Sequence, residues 1–105
     1  MAKWFCHWET VPTVMPQDPE ESIKLQIMML ERVKADMAVG LLVDFGIRSG
    51  EVSGYGISGD MSEEELNAWL MKWTPYVKFE ANPVITADQQ IAALKKLAEM
   101  MKKKK

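Results

Sequence analysis

SEEELNAWLMKWTPYVKFEANPV, residues 62–84, holds a helix start, a helix stop and a strand in one unbroken run. Leu66, Trp69, Leu70 and Trp73 fall at i, i+3, i+4 and i+7, which stacks two leucines and two tryptophans on one helical face. Ser62 and Glu65 stand three apart as a capping box, the hydroxyl taking a free backbone N–H and the carboxylate answering the N-cap N–H. Pro75 ends the helix. Beyond it Val77, Phe79 and Ala81 alternate with Tyr76, Lys78 and Glu80, the period of a strand buried on one side. An amphipathic helix running straight into an amphipathic strand predicts a layered α+β arrangement.

Working outward, KWFCHWE (residues 3–9) alternates as a first strand, with Trp4, Cys6 and Trp8 on one face and Phe5, His7 and Glu9 on the other. Pro12 and Pro16 make residues 10–17 a loop. Asp18, Pro19 and Glu21 then read as an N-cap, a first-turn proline and the third residue of a capping box. A long helix follows, with Ile23, Ile27, Leu30, Val33 and Met37 at helical spacing and Gly40 as its stop. Burying five such side chains contributes on the order of 10 kcal/mol before entropy is subtracted.

Residues 41–48 form a second strand, with Leu41, Val43, Phe45 and Ile47 expected on one face and Leu42, Asp44, Gly46 and Arg48 on the other. The run RSGE has hairpin-turn composition, and residues 52–58 return as a third strand. Gly54 and Gly56 weaken that strand and let another backbone or a ring come close, so it is expected to lie against something bulky. After Pro83 a last helix begins at Thr86, with Gln89 completing a third capping box. Ile91, Leu94, Leu97 and Met101 give that helix an apolar side, and Lys102 to Lys105 close it where the helix dipole favours cations.

The order β-α-β-β-α-β-α at this spacing predicts a ferredoxin-like α+β fold with an extra C-terminal helix: a four-stranded antiparallel sheet with both main helices on one face. The other sheet face then carries Phe5, His7, Glu9, Tyr55, Lys78 and Glu80 with their neighbours, a mixture too apolar to face water. Either the last helix or a second copy is expected to cover it.

With 105 residues, 48% hydrophobic and 27% charged, the chain reads as one domain spanning 1–105. A formal charge of −2 gives no reason to expect a nucleic-acid partner. Apolar runs of a few residues and the lack of a signal-peptide pattern argue against a membrane and for a cytoplasmic location. The single Cys6 has no partner for an internal disulfide, in keeping with a reducing compartment. Four Trp and nine Met in so short a chain are read as core packing.

The run Leu66, Trp69, Trp73, Phe79-Glu80 and Pro83-Val84, preceded by a first strand ending in Trp8, resembles a family of small uncharacterised proteins of the ferredoxin-like, dimeric α/β-barrel type. Relatives carry an aromatic followed by His in the second strand, where this chain has Phe45-Gly46. The resemblance implies a homodimer formed through the sheet face. The wider superfamily includes isomerases, monooxygenases and haem-handling enzymes, so it names no reaction.

Candidate chemistry gathers on the open face. His7 and Glu9 lie two apart on one strand face, as a carboxylate-oriented base requires, and are the catalytic candidates. Arg48, Tyr55, Lys78 and Glu80 are the ligand-binding candidates, with cross-strand or intersubunit ion pairing as the bland alternative. One His and one Cys on opposite strand faces cannot share a metal ion. Residues 54–59, GYGISG, spell a dinucleotide fingerprint. Only three residues of strand precede it, however, and Glu63, Glu64 and Glu65 would set three carboxylates where a pyrophosphate sits, so no nucleotide cofactor is expected.

Two functions follow as expectations: a small-molecule binder or enzyme with its pocket on the open sheet face, or a non-catalytic oligomerisation and interaction module. Nucleotide binding is a weaker third.

Overall fold

The computed structural model describes residues 2–50 and 52–103. Its elements are β1 (Lys3–Thr10), a 3-10 turn (Pro12–Val14), α1 (Pro19–Ala38), β2 (Leu42–Ile47), β3 (Ser53–Ser58), α2 (Glu63–Met71), β4 (Val77–Val84) and α3 (Ala87–Lys103). The strands form one antiparallel sheet in the order β2-β3-β1-β4, the ferredoxin-like arrangement followed by a C-terminal helix.

The helix ends are set by the residues that the spacing singled out. Asp18 accepts the Glu21 N–H at the start of α1, Ser62 and Glu65 close their capping box on α2, and Thr86 and Gln89 exchange the same two hydrogen bonds before α3. At the end of α1, Gly40 takes a φ of 81°, its N–H donates to the Met37 carbonyl, and the Leu41 N–H donates to that of Asp36. This left-handed closure satisfies two helix-end carbonyls and suits a residue without a Cβ.

The core lies between the sheet and α1 and α2. Trp4 and Cys6 of β1, Leu42 of β2, Val33 of α1, and Leu66 and Trp69 of α2 are buried together with Met61. Polar atoms inside this layer are paired: the Trp4 indole donates to the Met61 carbonyl, and Ser58 accepts the Trp4 N–H while donating to the Gly59 carbonyl.

Three expectations about facing need correction. First, the β2–β3 ladder slips between Leu42 and Asp44, so Val43 is an extra residue. Leu42 therefore turns into the core instead of onto the open face, while Val43 is exposed and Asp44 and Gly46 stay on the open side. Second, of the α1 stripe only Val33 is buried; Ile23 and Ile27 are more than half exposed, and Leu25 and Met29 are the half-buried residues instead. The 20-residue helix is about 30 Å long and outruns the 6-residue strand β2 it packs on, leaving its first turns beyond the sheet. Third, β4 continues through Pro83 to Val84. It is an edge strand, where a residue without an N–H is tolerated.

The paired layers do not include α3. None of its residues is buried, and the chain measures 67 × 26 × 25 Å with a radius of gyration of 18.2 Å, against about 13 Å for a compact chain of this length. Ile91, Leu94, Leu97, Met100 and Met101 are at least half exposed. Each forgoes part of the roughly 1.5–3 kcal/mol that full burial contributes.

Candidate functional site

The side of the sheet covered by α1 and α2 forms a half-open cavity of about 120 Å³. Its floor is the inner face of the sheet, with Cys6, Trp8, Leu42, Phe45 and Phe79. Its roof comes from Met29, Leu30 and Val33 of α1, from Trp69 and Leu70 of α2, and from Trp73 in the turn that follows, since α2 stops at Met71, short of the expected stop at Pro75. The glycines explain why the floor is aromatic. A Cβ on Gly54 would strike the Gly46 carbonyl of β2 and the Trp8 ring, so its absence lets Trp8 lie flat across β3. The ring then stacks on Phe45 with centroids 5.5 Å apart and planes within 3°, while its Nε1–H donates to the Tyr55 carbonyl at 3.1 Å. The expected close approach at the glycine-rich strand is thus a ring and a backbone.

Few polar groups reach this cavity. Gln26 and Asp36 of α1 and Thr10 of β1 stand on its walls, and Asp36 accepts the Trp69 indole N–H at 3.0 Å, which ties α1 to α2 across the roof. Burial pushes the Cys6 thiol up to about 11. A thiol held neutral is a poor nucleophile, so Cys6 offers the cavity an apolar wall.

The other sheet face holds most of the residues singled out from the sequence, and none of the six lines this cavity. His7 lies between Tyr55 of β3 and Glu80 of β4 in the ladders. Glu9 faces Lys78 and pairs with its ammonium at 3.2 Å. Tyr55 lies over Gly46, where a Cβ would collide with its ring, stacks parallel to Phe5 at 6.2 Å, and donates its hydroxyl to Asp44 at 3.0 Å. The hydrogen bond to Asp44, then desolvation and the negative charge, hold the Tyr55 hydroxyl above its ordinary pKa. Arg48 follows β2 at the hairpin, its backbone N–H donating to the Ser53 carbonyl. The sheet thus gathers His7, Glu9, Tyr55, Lys78 and Glu80, with Arg48 at its end.

Sequence reading missed the cavity because its walls are the residues that periodicity assigns to a core. The signal available was the glycine pair of β3 beside an excess of Trp, which marks a wide aromatic floor without marking a void. Among the described residues no group of three or more His, Cys, Asp or Glu side chains is placed to hold a metal ion, and no helix is long and apolar enough to cross a membrane.

No curated protein matches the chain in sequence. A family profile matches residues 2–98, so that the sheet, α1, α2 and most of α3 fall within it. The chain belongs to the family described as Domain of unknown function (DUF3303).

Proposed function

We propose that this protein binds a small apolar, single-ring ligand in the cavity between the sheet and its two covering helices. The observation that carries this reading is an apolar void walled by stacked Trp8 and Phe45 and roofed by Trp69 and Trp73. At about 120 Å³ it is close in size to apolar cavities of about 150 Å³ that admit benzene. Gln26 on its wall would orient a polar substituent. Holding rather than converting fits the lining: the thiol is neutral and Asp36 is engaged by Trp69.

The test is thermal unfolding against a panel of benzene, toluene and phenol. A saturable rise in Tm is expected, reaching the equivalent of about 2.7 kcal/mol at a hundredfold excess over Kd. Leu30→Trp, which fills the cavity from the roof, abolishes the rise; His7→Ala leaves it intact. A rise lost in His7→Ala and kept in Leu30→Trp would return the ligand to the open face.

The homodimer formed through the open sheet face belongs to the same proposal, in the cytosol where the lone Cys6 stays reduced. It is supported by Phe5, 40% exposed on a face that neither α1 nor α2 covers and stacked on half-buried Tyr55. In that arrangement His7, Glu80 and the Glu9–Lys78 pair belong to the contact between copies. Sedimentation equilibrium checks it: Ile57 lies opposite Phe5 on that face, Ile57→Asp is expected to yield monomers, and a concentration-independent monomer of the unaltered chain would exclude it.

A further inference from the structure

The groove between α2 and the edge strand β4 is open, and its shape and charge suit a helix. It measures about 470 Å³, is floored by Trp4, Phe79 and Ala81, has Leu66 and Leu70 on its wall, and carries Glu63 and Glu64 at one end. The chain supplies one unpartnered helix of the opposite character. Ile91, Leu94, Leu97 and Met101 lie along an exposed apolar side of α3, and its last turn holds Lys102 and Lys103. From Ile91 to Met101 that side runs about 15 Å, close to the roughly 14 Å of the nine-residue α2.

Direction decides which copy supplies the helix. Val84 lies opposite Lys3, and Met61 bridges Ala2, so the root of α3 and the acidic start of α2 are at the same end of the sheet. If α3 folded back along its own groove it would run parallel to α2. Asp88 would then lie beside Glu63 and Glu64, and the lysines would be carried to the far end. A helix entering from a second molecule antiparallel to α2 brings Lys102 and Lys103 onto Glu63 and Glu64 and opposes the two helix dipoles.

We propose that α3 of a second copy of this chain seats in the groove between α2 and β4, antiparallel to α2. Leu70 and Phe79 line both this groove and the ligand cavity, so the seated helix would press on a shared wall. The proposal shares only the second copy with the sheet-face dimer.

Antiparallel seating places Ala98 near Asn67. The test uses full-length chains in a Cys6→Ala background, one carrying Asn67→Cys and an isotopically labelled one carrying Ala98→Cys, mixed and oxidised. The expected product is a disulfide-linked pair with one chain of each kind, reduced at least tenfold when Ile91→Asp is added to the Ala98→Cys chain. Circular dichroism of that variant checks that the body remains folded. A chain carrying both cysteines that closes on itself as a monomer overturns the proposal, as does a mixture that does not cross-link, or an α3 that engages only vesicles of anionic phospholipid. Dissociation by Ile57→Asp but not by Ile91→Asp removes the seated helix and leaves the sheet contact standing; the reverse result removes the sheet contact and keeps the helix.

Discussion

The two faces of the sheet are made from the same strands and read off the same alternation, yet they solve different problems. The inner face is roofed by α1 and α2, has its buried indole and hydroxyl groups hydrogen-bonded, and still leaves an apolar void. The outer face spreads polar and aromatic side chains in stacked or ion-paired contacts, Phe5 on Tyr55 and Glu9 on Lys78, with no helix over them. The lesson is that alternation tells which residues share a face but not what covers that face. A small chain can leave an apolar cavity where the pattern reads as plain core.

The contrast is broken most sharply by truncating one residue on each side. Leu66 is 3% exposed, and Leu66→Ala is expected to lower the free energy of unfolding by about 2–5 kcal/mol in denaturant titrations. Phe5→Ala at low protein concentration should cost under about 1.5 kcal/mol, because a half-exposed ring has less burial to lose. Equal losses would mean that the outer face is covered within one chain.

A smaller effect probes the helix that roofs the cavity. Ser62→Ala removes the N-cap of α2 and is expected to cost about 1 kcal/mol. Glu65 has its carboxyl held below the ordinary range, first by the Ser62 backbone N–H and then by the Ser62 hydroxyl. Its contribution is therefore full above the carboxyl's unfolded value and is lost as pH falls through the lowered folded value. Comparing acid unfolding of Glu65→Gln with the parent chain should show the parent's advantage at neutral pH shrinking below about pH 4.5. An advantage that grows on acidification would contradict the cap.

The smallest effect belongs to the outer face. The Glu9–Lys78 pair spans two solvent-exposed side chains at 44% and 67% exposure, so Lys78→Ala should change monomer stability by less than about 1 kcal/mol, and less still at high salt. At concentrations where copies associate, a larger, concentration-dependent loss is expected from the proposed contact, and its absence would take the pair out of that contact.

Much of the fold was legible because its signals are local. The capping boxes at Ser62 and Thr86, the Gly40 stop and the alternation of β1 and β4 each depend on a few neighbouring residues. What was illegible depends on partners distant in sequence. The bulge at Val43 inverts Leu42 through the pairing with β3, and Pro83 stays in a strand because β4 is an edge. The inner side of α1 passes through Leu25 and Met29 rather than the more apolar Ile23 and Ile27, since helix length alone does not say where the sheet stops. Five of the six candidate polar residues were correctly gathered on one face by period-two reasoning, whereas the cavity depends on how far Trp8 reaches over Gly54 toward Phe45.

The central claim, that the ligand space lies between the layers, is tested most directly by a two-dimensional NMR titration of the labelled chain with phenol. The account predicts saturable shifts at the Trp69 indole N–H, Cys6, Val33 and Leu70, the groups that border the cavity. Shifts confined to Phe5, His7, Tyr55 and Ile57, or none up to the solubility of phenol, would contradict it.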